Sequence, residues 1–333
     1  MKMNMNEWLR TAAQQHKAMP VLSFPGVQII NATVDQMVNS SDLQAQCMKA
    51  IAQRYDTLAA VSLMDLSVEA EAFGSPVRYS DDDVPTVTGA IIDTEEDLAA
   101  LRVPAVGEKR TGTCIDGIRK VCEMITDRPV LAGVIGPFSL AGRLMDMTEI
   151  MVKCYVEPEL VAKTLDKVTD FLIAYIKSFR DAGAQGVVMA EPAAGLLSPE
   201  LITQFSSPYV KKIIDAVSTD EFLVVYHNCG KTIPLIDSIL STGTKALHFG
   251  NTITLSEMLP LIPSDRLVFG NVDPAGQFRN GTPESVQEAT LDVINACKAY
   301  PNFIISSGCD IPPVTPLENI DAFFDTVDAF YRA

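Results

Sequence analysis

Eight apolar runs punctuate this chain, almost continuous in character and spaced widely enough to leave room for helices. They are Val21-Leu-Ser-Phe24, Leu58-Ala-Ala-Val-Ser-Leu63, Val130-Leu-Ala-Gly-Val-Ile135, Gly186-Val-Val-Met-Ala190, Phe222-Leu-Val-Val-Tyr226, Ala246-Leu-His-Phe249, Leu267-Val-Phe269 and Phe303-Ile-Ile-Ser306. Strands that alternate apolar and polar residues have one wet face. Strands that do not alternate are buried on both, as in a parallel sheet covered by helices. The intervening stretches are amphipathic, for example from Glu159 to Ala182 and from Glu200 to Val217. Helix starts are marked by Ser198-Pro-Glu200 and by Thr315-Pro-Leu-Glu318, the latter a capping box with proline at the first helical position.

Eight β-then-α units predict an α/β fold: one (β/α)8, TIM-type barrel spanning residues 1–333, with an N-terminal helical extension. A pair of doubly wound domains is the alternative. No Pro/Ser-rich linker, low-complexity tract or composition shift divides the 333 residues in that way. The segment from Ser75 to Arg119 is long for one connection. It is expected to hold a hairpin from Thr86 to Ile92 and extra helices, inserted after the second strand and covering one end of the barrel.

Composition narrows the function. Hydrophobic residues make up 47% and charged residues 20%, enough apolar material for a substantial core. The net charge of −16, from 26 basic and 42 acidic residues, argues against nucleic acid and anionic membrane surfaces as partners. The N-terminal Met1-Lys-Met-Asn-Met-Asn-Glu-Trp8 lacks the apolar core of a signal peptide, and no apolar run approaches the ~20 residues that span a bilayer. A cytoplasmic location is expected. Seven scattered cysteines then read as free thiols plus a few ligands rather than a disulfide framework.

Barrel chemistry sits where strands end at their C-terminal side. His227 and Cys229 lie there in Val224-Val-Tyr-His-Asn-Cys-Gly230, and Cys309 lies there in Ile304-Ile-Ser-Ser-Gly-Cys-Asp310. Residues two apart in a strand point to the same side, so one imidazole and one thiol can converge, with the second thiol arriving from the last strand. One nitrogen and two sulfurs suit zinc, and three protein ligands leave a fourth position for water or substrate. Other strand ends bring Glu191, Asp65, Glu69, Asn271 and Asp273 to the same mouth. Glu191 is a candidate fourth ligand that substrate displaces, or a base accepting a thiol proton; a carboxylate at a helix N-terminus is its other reading. Asp65, Glu69, Asn271 and Asp273 are candidates for orienting substrate, although polar strand ends often only satisfy loop backbone groups. His248 reads as a core histidine bonded to a backbone carbonyl. Cys47, Cys114, Cys122, Cys154 and Cys297 read as buried hydrophobes. Gly230-Lys-Thr232 imitates the tail of a phosphate-binding loop, but Val225 stands where the first glycine is required.

Several stretches carry a family resemblance: Val68-Glu-Ala-Glu-Ala-Phe-Gly74, Gly136-Pro-Phe-Ser-Leu-Ala-Gly142, His227-Asn-Cys-Gly230 and Gly270-Asn-Val-Asp-Pro274. With Cys309 they resemble the uroporphyrinogen decarboxylase superfamily, and within it the zinc-dependent methylcobamide:coenzyme M methyltransferase branch. The resemblance runs from about Pro20 to the C-terminus. It implies zinc bound by His227, Cys229 and Cys309, and transfer of a methyl group from a methylated corrinoid to a thiol, coenzyme M first. Corrinoid-carrying modules use Asp-x-His-x-x-Gly, which none of the three histidines offers. The resemblance therefore implies a separate methylated corrinoid protein as partner. A metal-free decarboxylase of the same fold and a catalytically silent binding barrel are the alternatives. The decarboxylase uses an Arg-rich N-terminal segment for its polycarboxylate substrate, whereas Pro20-Val-Leu-Ser-Phe-Pro-Gly-Val-Gln28 contains no arginine.

Overall fold

In the computed structural model, residues 3–332 are described; Met1 and Lys2, part of the stretch read for a signal sequence, and Ala333 lie outside the described residues. Among the described residues nine strands form: β1 Ala60–Val61, β2 Val77–Arg78, β3 Thr86–Val87, β4 Val130–Ile135, β5 Gly186–Ala190, β6 Leu223–Asn228, β7 Ala246–Phe249, β8 Leu267–Val272 and β9 Phe303–Ser307. Seven of them make one parallel sheet in the order β1-β4-β5-β6-β7-β8-β9, with helices between successive strands. This is the TIM-type α/β barrel. Its strands stay in sequence order because each right-handed crossover sets the next strand beside the last.

The expected first strand, Val21–Phe24, does not form. The segment just before it closes the sheet instead, with isolated hydrogen bonds to both edges. Leu58 N donates to Ala18 O (2.8 Å) and Met19 N donates to Ile305 O (3.0 Å). Pro20 is the physical reason, since it has no N–H to give to a ladder. β1 is likewise shorter than the run Leu58–Leu63.

Side chains alternate between barrel interior and helix layer along each strand. Val61, Leu131, Val188, Leu223, Val225, Ala246, Leu267, Phe269 and Ile304 fill the interior. The helix Met5–Thr11 packs Met5 and Trp8 into the same cluster, and Met5 N donates to Asp220 O (2.7 Å) ahead of β6. The end of the barrel where the strands begin is thus plugged by apolar side chains. The other face of the strands packs on the helix layer through residues such as Val187, Met189, Val224, Leu247 and Val268.

Local signals held in part. The long amphipathic stretch is the helix Pro158–Asp181. Ser198 caps the next helix, accepting from Leu201 N, with Pro199 at its first turn. The stretch from Glu200 to Val217 is two helices, Pro199–Phe205 and Ser207–Val217, because Pro208 has no N–H for the carbonyl one turn back and disfavours helical geometry in the residue before it. The insertion hairpin pairs Val77 with Val87 and Arg78 with Thr86, so it lies earlier than Thr86 to Ile92; Ile91 and Ile92 instead donate to Leu144 O. The capping box at Thr315 is absent. Its Oγ1 is buried without a partner, and Gln28 Nε2 holds the segment by donating to the carbonyls of Pro313 and Thr315. Among the described residues no helix is long and apolar enough to cross a membrane.

Candidate metal centre

His227 is the next-to-last residue of β6, and Cys229 follows that strand directly. The register places His227 between Ala190 of β5 and His248 of β7. Cys309 stands two residues past β9. The three donor atoms converge: Cys229 Sγ lies 3.0 Å from His227 Nε2, Cys309 Sγ lies 3.5 Å from the same nitrogen, and the sulfurs are 3.9 Å apart. All three lie within 4.8 Å of one another and form a group that could hold a metal ion. Around a tetrahedral ion with bonds of about 2.3 Å to sulfur and about 2.05 Å to nitrogen, neighbouring ligand atoms stand roughly 3.6 to 3.8 Å apart. The set therefore fits zinc in donor type and, with a shift of a few tenths of an ångström at Cys229, in spacing.

The chain is shaped to let Cys229 reach this point. Gly195, in the turn Pro192–Leu196 after β5, lies so close to the Cys229 carbonyl that a Cβ there would sit 1.7 Å from its oxygen. Only a glycine permits that approach. The two thiols polarise each other. A hydrogen bond from Cys229 holds the Cys309 thiol well below its ordinary value, while the same bond and burial push Cys229 up.

Behind the triad runs a line of polar contacts that the sequence did not disclose. His227 Nδ1 is 2.7 Å from His248 Nδ1, and His248 Nε2 is 2.9 Å from Ser306 Oγ. Ser306 Oγ donates to Met19 O at 2.7 Å. His248 is therefore not simply a core histidine on a backbone carbonyl. Burial, then the neighbouring His227, pushes its pKa well down, against a hydrogen bond to the Ser307 backbone, so the ring is neutral. Only the register between β6 and β7 reveals this pairing. Asp310 was also missed. Its Oδ1 is buried without a partner, and burial beside Cys309 pushes the carboxyl well up.

The remaining candidates each make local hydrogen bonds. Glu191 sits at a helix N-terminus: its Oε2 accepts from Phe138 N (2.9 Å) and its Oε1 from Ser139 N (2.6 Å), the first turn of the helix Pro137–Met145. Its carboxylate does not join the His–Cys–Cys group. Both oxygens serve backbone donors, as the helix-terminal reading expects. Burial pushes its carboxyl up to about 7. Asp65 accepts from Ser67 N (2.9 Å) and Ser67 Oγ (2.6 Å) and pairs with the buried Arg110, which also bonds Glu71 (2.7 Å). Glu69 accepts from Ile135 N (3.1 Å) through Oε1, while its Oε2 has no partner, and burial raises the carboxyl to about 7. Asn271 donates to the carbonyls of Gly250 and Ile253, and Asp273 caps the turn Pro274–Arg279 through Ala275 N and Gly276 N. Cys47, Cys114, Cys154 and Cys297 are buried and Cys122 is half-buried, each thiol pushed up by burial.

Comparison with known proteins adds a lineage. A family model described as Uroporphyrinogen decarboxylase (URO-D) matches residues 16–330. The methylcobamide:CoM methyltransferase MtbA of Methanosarcina acetivorans is 28% identical over 316 residues, which cover 90% of this chain and 91% of the relative. A uroporphyrinogen decarboxylase of Coxiella burnetii is 27% identical over 298 residues, covering 84% and 79%. A solved methyltransferase from Methanosarcina mazei superposes with a TM-score of 0.87 at 23% identity, covering 98% of this chain and 99% of its own, a likeness that bears on the fold.

Proposed function

The chain belongs to the uroporphyrinogen decarboxylase family, and from that premise and the gathered imidazole and thiols we propose that it is a zinc-dependent methyltransferase, moving a methyl group from a methylated, protein-bound corrinoid to a small thiol, coenzyme M first. The observation that carries this reading is the convergence of His227 Nε2, Cys229 Sγ and Cys309 Sγ at the mouth of the barrel. Overall identity does not choose between activities, since methyltransferase and decarboxylase relatives match at 28% and 27%. Two observations support the methyltransferase reading: the His227–Cys229–Cys309 donor set, and the lack of arginine in Pro20–Gln28, where a polycarboxylate substrate would call for cations.

His227, Cys229 and Cys309 would hold the zinc and leave one coordination position to the acceptor thiol. Zinc, when bound, supplies positive charge that keeps a thiol deprotonated near neutral pH. The two cysteine sulfurs offset that charge, so that an acceptor sulfur retains electron density. In the transfer itself, a sulfur lone pair forms the S–C bond, the electrons of the cobalt–carbon bond stay with cobalt, and the thiol proton goes to solvent. The barrel mouth must align methyl carbon and sulfur, which is a positioning task. His16 is exposed and stacked on Tyr331, while His227 and His248 are buried in the barrel and face each other. None of the three stands in an Asp-x-His-x-x-Gly setting, which supports a corrinoid that arrives on its own carrier protein.

The test is loss of the methyl–cobalt absorbance of a methylated corrinoid protein. It should require this protein, zinc and a thiol together, and the metal-depleted protein and Cys309→Ala should both be inactive. Demethylation at the wild-type rate by Cys309→Ala, or without any thiol, would end the proposal.

A further inference from the structure

The contacts behind the triad fix where protons lie. Met19 O is a carbonyl and can only accept, so the single hydroxyl proton of Ser306, 2.7 Å away, points to it. Ser306 Oγ must then accept from His248 Nε2 at 2.9 Å. Nε2 of His248 thus carries a proton, and a second one on Nδ1 would put an imidazolium in a fully buried site whose hydrogen-bond partners are a serine and another histidine, so Nδ1 is bare. His227 Nδ1, 2.7 Å from that bare nitrogen, must carry a proton. The lone pair of His227 is thereby left on Nε2, the atom that faces both cysteine sulfurs.

We propose that His248 and Ser306, anchored on the Met19 carbonyl, are positioning residues that lock His227 in its Nδ1–H tautomer and so preset Nε2 as the metal donor. The inference rests on the zinc reading above. It adds that the donor is set across the barrel, by the irregular segment that closes the sheet between β9 and β1. A histidine ligand free to choose its tautomer would spend part of its time with a proton on Nε2 and would also lose ring orientation. Partners of this outer kind usually carry about 10- to 100-fold in metal affinity. Ser306 Oγ makes its hydrogen bonds to His248 and Met19 and is not among the metal-donor atoms, so it separates the relay from direct coordination.

Two measurements on the whole protein decide it. The first is the tautomer of His227 in the metal-free protein, read by nitrogen-15 NMR with labelled histidine. The second is zinc affinity, read by competition with a chromophoric chelator. Wild type should show the Nδ1–H form at His227. Ser306→Ala should lose that form and bind zinc about 10- to 100-fold more weakly, with an unfolding midpoint close to wild type. Ser306→Thr, which keeps the hydroxyl, should recover most of the affinity; if its extra methyl group prevents folding, the NMR comparison of wild type with Ser306→Ala decides alone. Zinc binding by Ser306→Ala as tight as wild type would overturn the relay and leave the zinc reading standing. So would weaker binding with an unchanged tautomer, because the effect would then be merely structural. A wild type that takes up no zinc would overturn the zinc reading and with it the purpose of the relay.

Discussion

Replacing Gly195 by alanine probes the site without touching a ligand. The added Cβ would stand 1.7 Å from Cys229 O and 2.8 Å from Cys229 C, whereas contacts closer than 3.0 Å are essentially never tolerated. The two segments must therefore part by about 1.3 Å. Cys229 follows β6 directly, so its main chain is the less constrained of the two ends, and its sulfur moves with it. A metal–sulfur bond tolerates about 0.2 Å of error, several-fold less than this displacement. We expect zinc affinity to fall on the order of 100-fold, with an overpacking cost of about 1–3 kcal/mol in stability. Gly243→Ala is the control. Its φ of +81° strains an alanine, for about 1–2 kcal/mol, but nothing lies within 4 Å of the new Cβ and the metal site is untouched. Chelator competition and denaturant unfolding on both variants give the two numbers. Equal zinc affinity in Gly195→Ala and Gly243→Ala would show that the turn yields instead of Cys229, and that the close approach does not set the sulfur.

Other consequences follow from the buried charges. Arg110→Met leaves Asp65 and Glu71 without their cation, so urea unfolding should show a loss of about 3–5 kcal/mol; a loss under 1 kcal/mol would mean that the carboxylates find water instead. Glu69 and Glu191 have native carboxyls raised from 4.5 to about 7. Between those values the native state holds protons that the unfolded chain has released, so this part of the stability is full below pH 4.5 and is lost as the pH rises to 7. Glu69→Gln cannot ionise, and it should be stabler relative to wild type at pH 8 than at pH 4.5 by up to about 3 kcal/mol; a pH-independent difference would place the carboxyl near its ordinary value. At pH 4.5, Glu191→Gln should cost about 1 kcal/mol through a weakened helix terminus; the zinc ligand shell should stay unchanged, whereas a changed shell would make Glu191 a ligand.

The barrel was legible because parallel strands buried on both faces announce themselves as apolar runs such as Phe222–Tyr226 and Ala246–Phe249. The triad was legible because a two-residue spacing at a strand end and a second strand end obey one rule about where barrels place chemistry. What escaped depends on facts outside any local window. Pro20 interrupts an otherwise strand-like run, and the sheet closes through two isolated hydrogen bonds instead. The neighbour of His227 is His248 only because of inter-strand register, which one sequence does not state. Glu191 was read from its strand end, and only tertiary packing shows that the helix Pro137–Met145 begins beside it and donates to both oxygens. Asp65 was likewise claimed from far along the chain, by Arg110.

Zinc-edge X-ray absorption, on protein purified without a histidine tag and measured with and without saturating coenzyme M, goes to the centre of the matter. Without thiol the metal should show two sulfurs and one nitrogen plus a light atom. With thiol it should gain a third sulfur at about 2.3 Å. A shell that does not change would mean a zinc that is only structural, or a different acceptor, which homocysteine and other small thiols measured the same way would reveal. A shell unchanged by every thiol, or protein with no zinc to measure, would be fatal to the proposed methyl transfer.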